Sequence, residues 1–305
     1  MRTLPLFLAL ALGAPLVAQA PAAPAAPAKI HKVEKLSDRA YAIFGQGGNI
    51  GLFVGDQEAV LVDTQFARLV PGLFEAIASV TDKPIRFLVN THHHGDHVGG
   101  NALVASKVQA IIAHANVRRR MEAEQAKLDP AQRGGLPTLL LGEKDSAKPA
   151  RLDLRLPGLE VHIVHRSAAH TDGDLILGLP GDRVMHLGDL MFLGMLPFID
   201  AKDGAGSFKG LVDTVAWLAS WIPEDVKIIP GHGPLCGRKE VLRYRDFLKA
   251  LQAHAAARPG TSSADLAASF DAAAWPEWKP TATFVTWETL FDAVTERGPG
   301  RVVRP

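Results

Sequence analysis

Residues 90–100 read NTHHHGDHVGG and follow an apolar run, 85–89, that has the composition of a β-strand. Six consecutive residues offer three imidazoles, from His92, His94 and His97, and the carboxylate of Asp96. This mixture of nitrogen and oxygen donors suits zinc, and also iron or manganese. One histidine in a polar loop is usually an ordinary surface residue, but four candidate ligands at this density predict a metal site.

Three more candidate ligands lie downstream, each beside a predicted strand and flanked by glycine or a turn. His170 stands in Ala-His-Thr-Asp-Gly-Asp, Asp189 in Leu-Gly-Asp-Leu, and His232 in Pro-Gly-His-Gly-Pro. Glycine permits backbone geometries in which a side chain can approach a metal without crowding. Seven ligands exceed the four of one tetrahedral ion, so the pattern predicts two ions that share a bridge.

The order of predicted elements indicates an α/β protein. Short apolar runs between residues 41 and 62 predict a β-meander, and helices and strands alternate from residue 69 onward. Two sheets covered by outer helices are the most economical arrangement. We predict a strand at 184–187 and helices at 208–221, 238–256, 262–273 and 283–295, whereas 122–148 is interpreted as a long loop near the site, a candidate flap.

The N-terminal residues have the pattern of an export signal. Arg2 precedes an apolar run, 4–17, that is shorter than the roughly 20 residues a membrane span needs and is interrupted by prolines. We therefore predict a signal peptide, 1–20, cleaved after Ala20, and a secreted or periplasmic protein. A Pro/Ala linker, 21–28, would lead into a catalytic domain, 29–235, followed by a C-terminal helical extension, 236–305, packed on it.

Composition excludes several classes of protein. With 47% hydrophobic and 21% charged residues, the chain has a globular rather than a disordered composition. The formal net charge of +1 would fall to zero on loss of Arg2, so neither a nucleic-acid nor a membrane partner is expected, only a small-molecule substrate. Cys236 is the single cysteine, so no intramolecular disulfide can form, and we interpret it as a small buried hydrophobe.

The cluster resembles the signature H-x-H-x-D-H of the metallo-β-lactamase superfamily, and the later His, Asp and His match that family too. The resemblance covers roughly residues 30–235. It implies an αββα sandwich, here with a C-terminal helical extension, and metal sites at one edge between the sheets. It also implies that the first metal takes His92, His94 and His170, and the second Asp96, His97 and His232, with Asp189 as the bridge.

The same resemblance implies a chemistry. Two zinc ions per chain, with iron or manganese as alternatives, would share a hydroxide that attacks a carbonyl substrate, because zinc lowers the pKa of bound water to about 7. Asp96 would orient the hydroxide or pass a proton to the leaving group. The expected substrates are esters, lactones, thioesters or β-lactams.

Two residues depart from the secreted metallo-β-lactamases that carry cysteine as a ligand. Asp189 stands at the cysteine position, and Phe192 stands where those enzymes have a lysine that pairs with the substrate carboxylate. β-Lactamase activity is therefore expected to be weak at most. The apolar residues that crowd 190–198 either line a pocket for a hydrophobic substrate or pack the sheet edge against the helical extension.

Two other functions remain open, an iron-dependent dioxygenase of sulfur compounds and a non-catalytic metal-dependent binding protein. Outside the seven ligands, Asp63 could accept a ring N–H from a ligand histidine or could simply end a strand in a turn. His93 and His186 are expected not to be ligands.

Overall fold

Two β-sheets form the centre of the protein, for which a computed structural model describes residues 30–130, 133–146, 148–281 and 285–296. The first sheet has the order β1-β2-β3-β4-β5-β6-β7, antiparallel up to β4 and parallel from there to β7. Its strands are β1 (Lys32–Lys35), β2 (Ala40–Phe44), β3 (Ile50–Val54), β4 (Ala59–Val62), β5 (Ile85–Val89), β6 (Ala110–His114) and β7 (Leu139–Leu141).

The second sheet has the order β12-β11-β10-β9-β8. Its strands are β8 (Ala150–Leu156), β9 (Leu159–His165), β10 (Ile176–Leu179), β11 (Val184–Phe192) and β12 (Lys227–His232). Neighbours are antiparallel except for β11 and β12, which run parallel. Parallel strands bring their carboxyl ends to one edge of the sheet, and the candidate ligands of β11 and β12 lie towards that edge.

Helices lie on the outer face of each sheet, as the αββα expectation requires. The helices in chain order are α1 (Val70–Ala78), α2 (Gly95–Val98), α3 (Asn101–Val104), α4 (Ala115–Gln125), α5 (Phe208–Trp221), α6 (Arg238–Ala256), α7 (Ser263–Ser269) and α8 (Trp287–Val294). Helix α1 lies on the first sheet and helix α5 on the second. Leu73 of α1 packs in one apolar cluster with Leu61 of the first sheet, and Leu211 of α5 packs in another with Leu187 of the second. Between the sheets, Val62 and Ile163 belong to a third cluster. Each such side chain, fully buried, contributes about 1.5–3 kcal/mol.

The helices that follow β12 pack on the second sheet through aromatic rings. Phe247 of α6 stacks on Trp278 with ring centroids 4.5 Å apart, and Tyr244 lies 5.5 Å from the same indole. The Trp278 Nε1–H donates to the carbonyl of Phe192 at 2.9 Å. These contacts attach the C-terminal helices to the end of β11. The predicted division of the chain into two domains at residue 235 stays a prediction.

The structure corrects several boundaries. The interpretation of 122–148 as a loop is wrong in part, because α4 continues to Gln125 and β7 pairs with β6. The predicted strand at 184–187 continues to Phe192, and the predicted helices at 262–273 and 283–295 are shorter, with 283–284 outside the described residues. The predicted signal peptide and linker, 1–28, also lie outside them. In the part of the chain that is described, no helix combines the length and apolarity needed to cross a bilayer.

Candidate metal centre

The structure brings all seven predicted ligands together between the two sheets. His92, His94, Asp96 and His97 lie in and just before α2, directly after β5. His170 follows β9, Asp189 lies within β11, and His232 ends β12. Two glycines make room for them: a Cβ on Gly48 would lie 2.1 Å from the His97 ring, and one on Gly231 would lie 2.0 Å from Asp189 Oδ1.

The seven side chains form two groups whose ligand atoms could each hold a metal ion. Each group keeps its candidate ligand atoms within 4.8 Å of one another, and the groups are His92, His94, His170 and Asp189 on one side and Asp96, His97 and His232 on the other. In the first group His170 Nε2 lies 2.9 Å from His94 Nδ1. In the second, His232 Nε2 lies 3.3 Å from Asp96 Oδ2.

The carboxylate of Asp189 stands between the groups and turns one oxygen to each. Its Oδ2 lies 3.6 Å from His92 Nε2 and 3.4 Å from His170 Nε2. Its Oδ1 lies 3.1 Å from His97 Nε2 and 3.5 Å from His232 Nε2. Ligand atoms around a tetrahedral zinc lie about 3.3–3.5 Å apart, because each is about 2.0–2.1 Å from the ion. The separations therefore fit a bridged pair of cations.

The hydrogen bonding also fits a metal. His92 Nε2, His97 Nε2 and Asp189 Oδ1 are buried and have no hydrogen-bond partner among the described residues. A buried polar atom without a partner costs about 1–3 kcal/mol. Three such atoms that face one another are costly in a core but are the arrangement a cation would satisfy.

The charges of the centre favour a cation as well. Burial raises the pKa of Asp189, but the histidines around it, His232 and His97 foremost, hold that pKa well below its ordinary value. Burial lowers the pKa of His97, but Asp189 and Asp96 raise it well above its ordinary value. Burial lowers the pKa of His92 well below its ordinary value. The carboxylates are therefore ionised, and their negative charge attracts either protons or a metal ion to the imidazoles.

Asp63 and Thr91 fix the orientation of His97. Asp63 Oδ2 accepts from His97 Nδ1 at 2.8 Å and from the Thr91 hydroxyl at 2.6 Å, while Oδ1 accepts from the Thr91 backbone N–H at 2.8 Å. A proton on Nδ1 leaves the Nε2 lone pair of His97 facing Asp189. Of the two roles considered for Asp63, the contact with a ligand histidine is the one observed, although Asp63 also adopts the turn-like φ of 65°.

The other two anchors of the histidines were not predicted. His94 directs Nδ1 into the centre and donates from Nε2 to Asp200 Oδ2 at 2.8 Å. His170 donates from Nδ1 to the carbonyl of Phe198 at 2.7 Å. Asp200 is 106 residues from His94 in sequence and follows the apolar run 195–199, so no local pattern marks it as a partner of that histidine. His93 also lies near Asp200, with Nε2 3.9 Å from Oδ2, and with His94 and Asp200 it forms a further group that could hold an ion.

The remaining histidines and the cysteine lie apart from the seven ligands. His186 is buried in β11, where its Nε2 faces the carbonyl of Asn49 at 3.1 Å. His114 and His165 are buried and pack ring on ring at 4.2 Å, so both have packing roles. Cys236, predicted to be a buried small hydrophobe, is half-buried; it packs against the apolar cluster of the second sheet, and its backbone pairs with Ile228.

Most of the apolar stretch 190–198 packs the protein interior. Leu190, Met191 and Leu196 are buried in the cluster that includes the C-terminal helices. Phe192 is 2% exposed and stacks on the ring of His232, with centroids 5.5 Å apart and planes 10° apart. Position 192 therefore presents a phenyl ring to the centre instead of a cation. Phe198 is half-buried and lies 5.8 Å from the rings of both His94 and His170.

Comparison with known proteins points to one family. A model of the metallo-beta-lactamase superfamily matches residues 43–239, a span that contains all seven candidate ligands. The beta-lactamase-like protein 2 homolog of Caenorhabditis elegans is 25% identical over 243 residues, 72% of this chain and 74% of that protein. The 2,4-dinitroanisole O-demethylase subunit alpha of Nocardioides sp. (strain JS1661) is 24% identical over 205 residues, 61% of this chain and 52% of that subunit.

Solved structures share the fold. The stereoselective inverting sec-alkylsulfatase Pisa1 from Pseudomonas sp. superposes with a TM-score of 0.66 at 17% identity, over 88% of this chain and 50% of that one. A metallo-beta-lactamase from Pontibacter korlensis superposes with a TM-score of 0.58 at 18% identity, over 72% of this chain and 99% of that one. The chain thus spans about half the length of the demethylase subunit and of the alkylsulfatase.

Proposed function

The chain belongs to the metallo-β-lactamase superfamily, and from that premise we propose that it is a dizinc hydrolase of carbonyl substrates such as esters, lactones or thioesters. The observation that carries the proposal is the position of Asp189, whose two oxygens each face a different group of histidines at 3.1–3.6 Å. One metal would be held by His92, His94 and His170 and the other by Asp96, His97 and His232. Asp189 would bridge them.

Two zinc ions bound there would lower the pKa of a water between them and polarise the carbonyl oxygen of a substrate. The chain's own residues would fix the geometry of that reaction. Asp63, Asp200 and the Phe198 carbonyl each accept a hydrogen bond from the outward nitrogen of one histidine, which holds the other nitrogen in its metal-binding form.

Asp96 is the residue best placed to handle protons. Its side chain is 25% exposed, more than any of the other six, so it borders the side from which substrate must enter. Burial raises the pKa of Asp96, but His97 and His232 bring it down to about 2. An ionised carboxylate at this position can accept a proton from the attacking water and deliver it to the leaving group.

The substrate preference rests on what surrounds the centre. Phe192 stacks on His232 and offers no charge to a substrate carboxylate, which argues against efficient β-lactam turnover. Proteins similar to this chain include an O-demethylase, an alkylsulfatase and a metallo-β-lactamase, so similarity alone does not fix the leaving group. We favour carbonyl substrates because the flanking residue Phe198 is apolar and carries no charge that would bind a phosphate or sulfate.

The test is a metal analysis joined to an activity screen. Protein purified without metal supplements should contain two zinc ions per chain and hydrolyse members of a panel of esters, lactones, thioesters, phosphodiesters and nitrocefin. Asp96→Asn should keep much of the metal and lose turnover, whereas Asp213→Asn, an exposed carboxylate on α5, should change neither. One iron per chain with oxidation of sulfur compounds would replace the proposal with a dioxygenase. Metal binding without turnover would make the chain a binding protein.

A further inference from the structure

A cavity of about 420 Å³ lies beside the metal centre, between the segment 197–208 and helix α8. This volume falls within the roughly 300–1,000 Å³ typical of small-molecule sites. Its walls include Pro197, Phe198, Ile199, Phe208, Val285 and Leu290. The cavity is thus built jointly by the catalytic domain and by the C-terminal helices that lie beyond the ligand-bearing strands.

Phe198 is shared by the cavity and the metal centre. It lines the cavity, and its ring centroid lies 5.8 Å from those of His94 and His170. Its carbonyl accepts the hydrogen bond from His170 Nδ1 at 2.7 Å, which fixes the backbone at this point. Phe198 is therefore the residue through which the cavity adjoins these histidines.

The interior of the cavity is apolar and its rim is charged. Ile199, Phe208, Val285 and Leu290 line the cavity, and each is less than 9% exposed. Lys202, Asp292 and Glu296 also line the cavity, and of these Lys202 and Glu296 are exposed. An alkyl or acyl chain would gain free energy by leaving water for the apolar part of this lining.

We propose that this cavity is the subsite for an apolar acyl chain of the substrate, held while its carbonyl group lies at the histidines beyond Phe198. The inference rests on the proposed hydrolase function and adds a substrate class to it, esters or thioesters of medium-chain carboxylic acids. The catalytic groups recognise only the carbonyl, and the C-terminal helix α8 selects the chain.

A series of p-nitrophenyl esters tests the proposal with the zinc-loaded protein. From acetate through butyrate and hexanoate to octanoate, kcat/KM should rise about fourfold for each methylene that enters the cavity. Ala293 lies on α8, is half-buried and lines the cavity, so Ala293→Phe should fill it. That variant should keep acetate turnover and lose the dependence on chain length. Glu288→Phe places the same ring on the exposed, non-lining side of α8 and should behave as the wild type.

A second variant and a binding measurement make the test independent of folding and of turnover. Ala201→Phe fills the cavity from the opposite wall, where Ala201 is exposed, and should repeat the loss of chain-length dependence. In titration calorimetry the wild type should bind octanoate at least about tenfold more tightly than acetate, and both filled variants should lose that difference.

The outcomes separate the subsite from the function. Turnover of all esters with no chain-length dependence, unaffected by either phenylalanine, would overturn the subsite and leave the hydrolase standing. In a second outcome, no ester is turned over, but octanoate binds and both filled variants abolish its binding. This outcome would support the subsite and overturn the proposed hydrolysis of carbonyl substrates.

Discussion

Replacing Asp63 by asparagine should weaken metal binding at one group of ligands without unfolding the protein. Asparagine tolerates the φ of 65° that Asp63 adopts, so the backbone can remain in place. The new amide cannot satisfy all three donors that the carboxylate accepts, namely His97 Nδ1–H, the Thr91 hydroxyl and the Thr91 backbone N–H. If the amide oxygen of the asparagine accepts from the Thr91 backbone N–H, the amide NH₂ group faces His97 Nδ1. Two donors then face each other, unless the imidazole proton moves from Nδ1 to Nε2.

The magnitude follows from that conflict. With the proton on Nε2, the nitrogen of His97 that faces the centre has no lone pair for a metal. Returning the proton to Nδ1 frees that lone pair but leaves a buried N–H donor unpaired, at a cost of about 1–3 kcal/mol. This energy corresponds to a loss of roughly 5- to 150-fold in affinity, in line with the roughly 10- to 100-fold typical when an orienting partner of a metal ligand is removed. The loss should fall on the ion held by Asp96, His97 and His232.

The assay is zinc content per chain by mass spectrometry after equilibration against graded concentrations of a chelator. The variant should lose one zinc at a chelator concentration 10- to 100-fold lower than the wild type requires. It should keep the other zinc. Asp56→Asn is the matched control, since Asp56 forms an exposed pair with Arg39, where such a change costs at most about 1 kcal/mol. Wild-type retention of both ions by Asp63→Asn would refute the reasoning, because His97 would then not depend on its partner.

Three further predictions concern the same centre and its surroundings. Asp189→Ala should lower the metal content from two ions per chain to one or fewer, and full occupancy of both would exclude a bridging role. Removal of metal by a chelator should lower the melting temperature by roughly 5–10 °C, because a ligand at a hundred times its Kd stabilises the folded state by about 2.7 kcal/mol. Addition of zinc should restore the melting temperature. A shift below one degree would contradict a metal site in the folded state. Burial raises the pKa of the Cys236 thiol to about 12, so iodoacetamide at pH 8 should label it only in denaturant, and rapid labelling of the native protein would show that the thiol is accessible.

Two helices were predictable to the residue, and the sequence marks where each of them begins. The predictions 208–221 and 238–256 coincide with α5 and α6. Ser207 caps α5 by accepting from the Gly210 N–H, and Glu240 reaches back to the N–H of Gly237 at the start of α6. Each cap is a short-range interaction, so the sequence contains all the information that sets it.

The strand carrying Asp189 was predicted too short, at 184–187 instead of Val184–Phe192. Gly188 adopts a φ of 51° and produces an irregularity in the pairing of β11 with β12, after which the strand continues to Phe192.

Strands β7 and β8 were missed for a different reason. Arg151, Asp153 and Arg155 alternate with leucines in β8, but the neighbouring charged segment had been interpreted as loop. This alternation is the local pattern of a half-buried strand, and it agrees with the observed pairing of β8 with β9.

For the candidate site, the residues that could hold metal were visible in sequence and most of their anchors were not. Glycine-flanked histidines and aspartates beside strands form a local pattern, whereas Asp200 and the Phe198 carbonyl meet their histidines only through the packing of distant segments. Asp63 is predicted as a candidate anchor because it ends a strand. Its positive φ could not be predicted, because the usual sequence signal for that conformation is a glycine.

The C-terminal helices explain why Phe192 replaces a cation beside the metal centre. The Phe192 ring stacks on His232 while its carbonyl accepts from the indole N–H of Trp278, and the Leu196 N–H donates to the Lys279 carbonyl at 2.9 Å. Both contacts attach the segment after Asp189 to the C-terminal part of the chain. A lysine buried at 192 would lie against the imidazoles of His170 and His232, and the loss of its hydration would cost several kcal/mol. In the proposed hydrolase, substrate recognition would then depend on the apolar cavity under α8 rather than on a cation at position 192.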